Sequence, residues 1–501
     1  MLRDYPRGVF LVALVEFWER FSYWGLLALL TLYLSSPLAA GGFGWEVGAA
    51  IKLYGLYGGL AFAGPVLGGW IAASFWGERR CISVGGALIV AGHACLAGTG
   101  CIPWLGQHFT GVDYQSLWVS AGVPLGSLLP SADELRALRG AAESMHASAS
   151  TVNWVYLGIA WSFAVGLLLI IAGTALLKPT ISSIVGRFYS PGDRRRDDAF
   201  AMFFVAIYLG CTAGVLIAGF LGERVSWHWG FGSAGIGMAG GLAIYRCKQH
   251  ELLGTLGLQP ERTAVWQALR GLNRCERDRM KVLLCQGAFT VMYAATFYQV
   301  GGSLLLFSQQ SVDRGIGAWQ IPVSWMSVLP TVAFIAITPL GVRLWGALAR
   351  RGRDPDATVK LAWGLLVIGA AYLLMGLVAP AADDTARISW WWMLAAFVLF
   401  GAADMLVWPN QISLASKLAP ASLSALLVGG WYITIGIGTS LTGYIGAWAQ
   451  VCGFRRFLLT LGVCVSILGC VAWLVTPRLR RLMHATPEQD LPSSALIERA
   501  A

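Results

Sequence analysis

The chain has 501 residues, of which 56% are hydrophobic and only 12% charged, with a formal net charge of +10. A soluble globular protein carries roughly 45–50% apolar and 25% charged residues, so the composition excludes a water-soluble domain and describes a chain built for a bilayer. The positive charge forms no basic stripe, which excludes a nucleic-acid surface and leaves its placement along the chain to be explained.

The ten cysteines show no CxxC pair and fall mostly in apolar segments, which predicts packing roles with neither a disulfide framework nor a metal site. The 62 glycines suit helices that approach closely in lipid.

In chain order, the first 35 residues pose a choice. Arg3 and Arg7 precede an apolar run and SSPLAA resembles a cleavage site, but the run is too long and too charged for a signal peptide, so an uncleaved first span is expected. A span needs about 20 apolar residues. About twelve such segments follow one another, near 9–34, 47–74, 81–104, 153–187, 198–222, 229–247, 282–307, 322–347, 358–380, 388–416, 423–450 and 454–477. The expected class is an all-α polytopic membrane protein.

Loops alternate in charge. The stretch SSPLAAGGFGWEVGAA has no Lys or Arg, and the long 105–152 insert has only Arg136 and Arg139. The intervening loops hold Arg79 and Arg80, then Arg187 with Arg194, Arg195 and Arg196, then a basic 248–281 linker, then Arg350, Arg351 and Arg353, and finally Arg478, Arg480 and Arg481. By the positive-inside rule both termini and the linker are expected in the cytoplasm, and the insert on the periplasmic side. The insert has one apolar stretch, too short to span.

A six-span repeat is visible. GERR after the second span is echoed by ARRGRD after the eighth, and LLKPTIS in the fourth by LVWPNQIS in the tenth. Two related six-helix bundles, 1–247 and 282–477, with the 248–281 linker and a 478–501 tail, are the expected architecture.

The first span contains EFWERFSYWG. Each charge at a span's centre costs roughly 2.5–3.5 kcal/mol, so three in one helix demand a role. Glu16, Glu19, Arg20 and Tyr23 fall on one helical stripe facing a bundle interior or a wet cavity. Arg20 can pair with either acid, which suits a proton carrier; the bland reading is a static ion-pair cluster pinning helices. Two further charges lie deep in spans: Lys178, just before Pro179, and Asp404, five residues before Pro409. They occupy different halves and suit a substrate charged at both ends; for Lys178 the bland reading is snorkelling to the interface. His93 is read as a core residue. No HExxH or GxSxG supports a membrane enzyme.

EFWERFSYWG resembles the ExxERFxYYG first-helix motif of the proton-dependent oligopeptide transporters, a branch of the major facilitator superfamily. GPVLGGWIAASFWGERR, GTALLKPTISSIVGRFY, SWHWGFGSAGIGM, FYQVGGSLLLF and PNQISLASKLAP resemble the same family in the same order. The resemblance implies a proton-coupled symporter of di- and tripeptides or peptide-like compounds, with no cofactor beyond the proton gradient, working in the inner membrane. It further implies that Glu16, Glu19, Arg20 and Lys178 couple protons. Substrate would be met by Arg20, Tyr23, Trp24, Lys178, Tyr208, Tyr298, Asp404 and Trp431, with Lys178 pairing with the first-helix cluster and helping to hold a carboxylate, and Asp404 meeting an amino group.

The departures are specific. Trp24 replaces a tyrosine, Leu27 an arginine, Tyr208 an asparagine, Tyr298 an acidic residue, Pro330 an asparagine and Ala73 the loop aspartate. All but Ala73 make the cavity less polar or more aromatic. They motivate a second expectation, a bulkier or less peptide-like substrate, taken up or exported; Ala73 motivates a third, a sensor that binds without transporting.

Overall fold

The computed structural model describes residues 5–189, 195–260, 273–381, 386–418 and 424–483. It opens with α1 (Arg7–Ser35), which ends where Ser36 turns extended ahead of Pro37, and α2 (Val47–Ile71), which runs through a π turn to Trp76. Gly77 then breaks the chain at φ 73°, a left-handed value that side-chain-bearing residues resist. There follow α3 (Glu78–Gly98), α4 (Cys101–Thr110), α5 (Tyr114–Ala121), α6 (Ala132–Ser144), α7 (Ala149–Arg187), α8 (Arg195–Arg224) and α9 (Trp227–Leu253). The second half contains α10 (Arg274–Phe297), α11 (Ser303–Ser311), α12 (Leu329–Ala349), α13 (Ala357–Val378), α14 (Trp390–Leu418), α15 (Ser424–Ala447), α16 (Ala449–Cys452) and α17 (Phe454–Met483).

Twelve of these helices exceed twenty residues. Among the described residues nine helical stretches are long and apolar enough to cross a membrane by composition alone. The other three long helices are α1, which carries the charged stripe, and the glycine-rich α9 and α15. Helices α1, α2, α3, α7, α8 and α9 pack among themselves, as do α10, α12, α13, α14, α15 and α17. The result is two six-helix bundles, as the repeat suggested.

The bundles meet chiefly where α2 crosses α15. There, a Cβ added to Gly55 would lie 2.6 Å from the Gly443 nitrogen, and one on Gly59 would lie 2.7 Å from the Gly436 carbonyl oxygen. Only glycine allows this approach.

Three spans differ in detail from the sequence reading. The third breaks at Thr99–Gly100, so α3 and α4 replace a single span to 104. The seventh stops at Phe297 and passes through a 3-10 turn, Tyr298–Gly301, before α11. The carbonyls freed by that break find donors across the bundle interface: Tyr54 donates to the Tyr298 carbonyl and Thr31 to the Gly301 carbonyl, both at 2.9 Å. The eighth begins as a 3-10 turn, Ser324–Val328. The linker is also shorter than its expected bounds, because α9 runs to Leu253 and α10 starts at Arg274 under an Asn273–Glu276 capping box. Residues 261–272, and the tail beyond 483, lie outside the described residues.

The insert is helical. Asp113 caps α5, and a Ser131–Glu134 capping box starts α6. It is fastened to the α1–α2 loop, since Leu125 N–H donates to the Phe43 carbonyl (2.8 Å) and the Trp45 indole to the Leu125 carbonyl (2.5 Å). Tyr156 of α7 donates to the Pro124 carbonyl at 2.7 Å.

Among the described residues, four two-residue strands are the exception to helical structure. β1 (Val312–Asp313) pairs in parallel with β4 (Ile388–Ser389), and β2 (Gly315–Ile316) pairs antiparallel with β3 (Trp319–Gln320). Beside them α8 reaches across to the other bundle. Glu223 accepts the backbone N–H groups of Val323 (2.8 Å) and Ser324 (2.7 Å), and Trp325 donates its indole N–H to the Leu216 carbonyl (2.9 Å). A carboxylate from one bundle thus caps a helix of the other.

Candidate functional site

Helical spacing in α1 brings Glu16 and Arg20 onto one face at i, i+4, and Glu19 beside them. The Arg20 Nε lies 3.0 Å from a Glu16 oxygen, and its Nη2 pairs with Glu19. Glu19 is completely buried, and Glu16 and Arg20 nearly so. Burial of three charges is tolerable here because one guanidinium serves two carboxylates, which is the fork geometry that arginine offers and lysine does not. The close approach of α8, where a Cβ on Gly210 would lie 2.3 Å from the Phe17 carbonyl oxygen, seals the cluster on one side. Tyr23 continues the stripe: its ring lies 5.6 Å from the Arg20 guanidinium and stacks on Tyr57 at 6.2 Å.

Lys178 enters from α7, one residue before Pro179. Its ammonium sits 4.0 Å from the Phe62 ring centre, 5.2 Å from Tyr432 and 5.9 Å from Tyr23. Among the described residues no carboxylate lies within ion-pair distance of it; the acids of α1 are taken by Arg20. The expected direct pairing of Lys178 with the cluster is therefore not present in this conformation, and the cation rests on aromatic faces. Snorkelling to the interface does not describe it either.

Asp404 comes from α14 in the other bundle, nearly fully buried. One of its oxygens accepts a hydrogen bond from Tyr293 Oη at 3.3 Å. Between the two poles lie rings. Trp24 stacks on Tyr298 with centroids 6.2 Å apart and planes 17° apart, and Phe62 meets Tyr298 edge-on at 5.4 Å. Tyr208 stacks on Phe334 of α12 at 4.7 Å, so it joins the two bundles at another point. Trp431 is buried and its indole N–H has no hydrogen-bond partner among the described residues.

The sequence singled out all ten of these positions, and the structure gathers them around one interface between the bundles. It missed Phe62, Tyr293 and Tyr432, and also Trp408, whose ring meets Tyr293 edge-on at 5.3 Å; all four read as core aromatics in apolar spans. Trp408 alone left a signal, being one helical turn after Asp404. Of the departures, Leu27 is buried in apolar packing, and Pro330 occupies the first turn of α12, where a missing N–H goes unnoticed. His93 is buried in α3 facing Gly235 of α9, within the first bundle. No group of three or more His, Cys, Asp or Glu that could hold a metal occurs among the described residues.

Two bundles with opposite charges buried at their common interface, in a chain of membrane-crossing helices, define a multi-pass transporter of the major facilitator fold. The sequence profile of the POT family matches residues 79–251 and 273–452, and the chain belongs to that family. Among curated proteins it is similar to the uncharacterized transporter YclF of Bacillus subtilis (24% identical, covering 96% of this chain and 95% of that protein). It is also similar to the di-/tripeptide transporter of Lactococcus lactis subsp. cremoris (25% identical, 95% and 96% covered). Among solved structures it matches a peptide transporter POT in complex with sulfate at a TM-score of 0.78, 23% identity and 96% coverage of both chains. A POT family transporter in complex with 5-aminolevulinic acid matches at 0.76, with 22% identity and 95% and 97% coverage.

Proposed function

We propose that the protein is a proton-coupled symporter of di- and tripeptides or peptide-like zwitterions, set in the cell's inner membrane with both termini in the cytoplasm. Family membership supports the class, and the di-/tripeptide transporter among its relatives supports the substrate. The observation that carries the mechanism is the pairing of Arg20 with two buried acids while Lys178 stands without a carboxylate.

Protonation of Glu19 or Glu16 removes a negative charge from Arg20 and frees its donors. Arg20 and Lys178 then offer two cations to a substrate carboxylate, and Asp404 offers an anion to the amino end. Loss of the proton restores the ion pairs and expels the carboxylate. The halves, 1–247 and 282–477, rock about the shared site, connected by the 248–281 linker.

Uptake of labelled dialanine and trialanine into proteoliposomes under an inward proton gradient tests this. Glu19→Gln and Lys178→Ala should each abolish gradient-driven uptake. Gradient-independent uptake, or normal uptake in Glu19→Gln, overturns the coupling scheme.

A further inference from the structure

The run of rings between the two poles is continuous. The Lys178 ammonium lies over Phe62, Phe62 meets Tyr298, Tyr298 stacks on Trp24 and reaches Trp408 at 6.5 Å, Trp408 meets Tyr293 edge-on at 5.3 Å, and Tyr293 donates to Asp404. Two of these contacts, Trp24–Tyr298 and Phe62–Tyr298, cross from one bundle to the other. Tyr298 is thus the shared member: its ring is held by α1 and α2, and its carbonyl by the Tyr54 hydroxyl.

No charged side chain belongs to this run between its two ends. A ligand that bridges Lys178 and Asp404 therefore has its termini met by charge and its middle met by ring faces. Such a middle rewards planar π groups, whose offset or edge contacts with aromatic neighbours add attraction beyond burial. It rewards the small, polar backbone of dialanine much less.

We propose that Trp24 and Tyr298 are specificity-determining residues that make this chain prefer zwitterionic peptides with aromatic side chains over small aliphatic ones. This rests on the symporter reading above. The preference arises in the junction between α1 and the 3-10 turn after α10. It does not depend on the charged poles, which any zwitterion satisfies.

The test is competition against labelled dialanine uptake in proteoliposomes, by unlabelled diphenylalanine and unlabelled dialanine. In the unmodified protein diphenylalanine should compete about tenfold more strongly, a factor that one or two ring contacts supply. Trp24→Leu and Tyr298→Leu should each bring the ratio towards one, and Tyr298→Phe, which keeps the ring, should retain it. Where a leucine variant fails to fold, the unmodified protein and Tyr298→Phe still decide. Equal potency of the two peptides in the unmodified protein, or a ratio that survives both leucine substitutions, overturns the specificity claim and leaves the symporter reading standing. Absence of gradient-driven uptake of both peptides, each supplied in labelled form, sinks the symporter reading and this inference with it.

Discussion

The two buried poles solve opposite problems. On α1 two acids share one arginine, so half of their charge is offset before any ligand arrives. On α14 Asp404 has a neutral tyrosine hydroxyl as its hydrogen-bond partner and no cation within ion-pair distance among the described residues. A paired cluster can lose one member only at a large cost, whereas a solitary carboxylate gains when a cation comes. The first arrangement suits switching by protons, the second capture of a charged group.

Removing the shared cation should break the comparison most severely. Arg20→Gln leaves two buried acids without their cation, and loss of one partner of a buried ion pair costs about 3–5 kcal/mol. Thermal unfolding in detergent should show a marked drop or no folded protein, while Lys178→Met, which strands no carboxylate, should stay close to the parent.

Asp404→Asn is next. Affinity for peptides with a free amino terminus should fall about 10- to 100-fold, the worth of a charge-assisted hydrogen bond at roughly 1.5–3 kcal/mol, while binding of N-acetylated peptides is unchanged. Competition assays read both, and an equal loss for the two peptide sets would dissolve the distinction between the poles.

Tyr293→Phe sharpens it. Loss of the one long hydrogen bond (3.3 Å) that its hydroxyl gives the Asp404 carboxylate should alter peptide affinity by several-fold and leave the proton dependence of uptake where it was.

The smallest effect is expected at a paired carboxylate outside the membrane. Asp356 caps α13: burial raises its carboxyl, but bonds from the Thr358 hydroxyl (2.6 Å), the Val359 N–H (3.0 Å) and Arg480 outweigh this and hold it below its ordinary value of 3.8. A depressed value in the folded state means the stabilisation is present at neutral pH and fades as pH falls below about that ordinary value. Asp356→Asn, itself a good cap, should cost only a few tenths of a kcal/mol at neutral pH. Acid titration of stability should then lose a small component in the variant.

Much of this was legible in the sequence because lipid makes charge conspicuous. Glu16, Glu19, Arg20, Lys178 and Asp404 stood out against apolar spans, and apolar runs located the twelve long helices, though not the short helices of the insert. Aromatic residues enjoy no such contrast: Phe62 and Tyr293 look like any core ring, and only a fold that brings α2, α10 and α14 together gives them meaning. The break after Phe297 was hidden for a related reason. Its freed carbonyls are satisfied by Tyr54 and Thr31, which lie far away in sequence. The Ser131–Glu134 spacing that starts α6, by contrast, is a local signal carried within four residues of sequence.

The glycine crossing of α2 and α15 has a consequence for how the protein is made. Gly55 and Gly443 are separated by 443 − 55 = 388 residues, and at about 5–20 residues per second a ribosome needs on the order of 20–80 s to bridge that interval. Throughout it the nascent first bundle presents to lipid a strip of backbone that no side chain covers. A chain truncated before α15 would keep that strip bare, offering the groove to any other helix with small residues on its face.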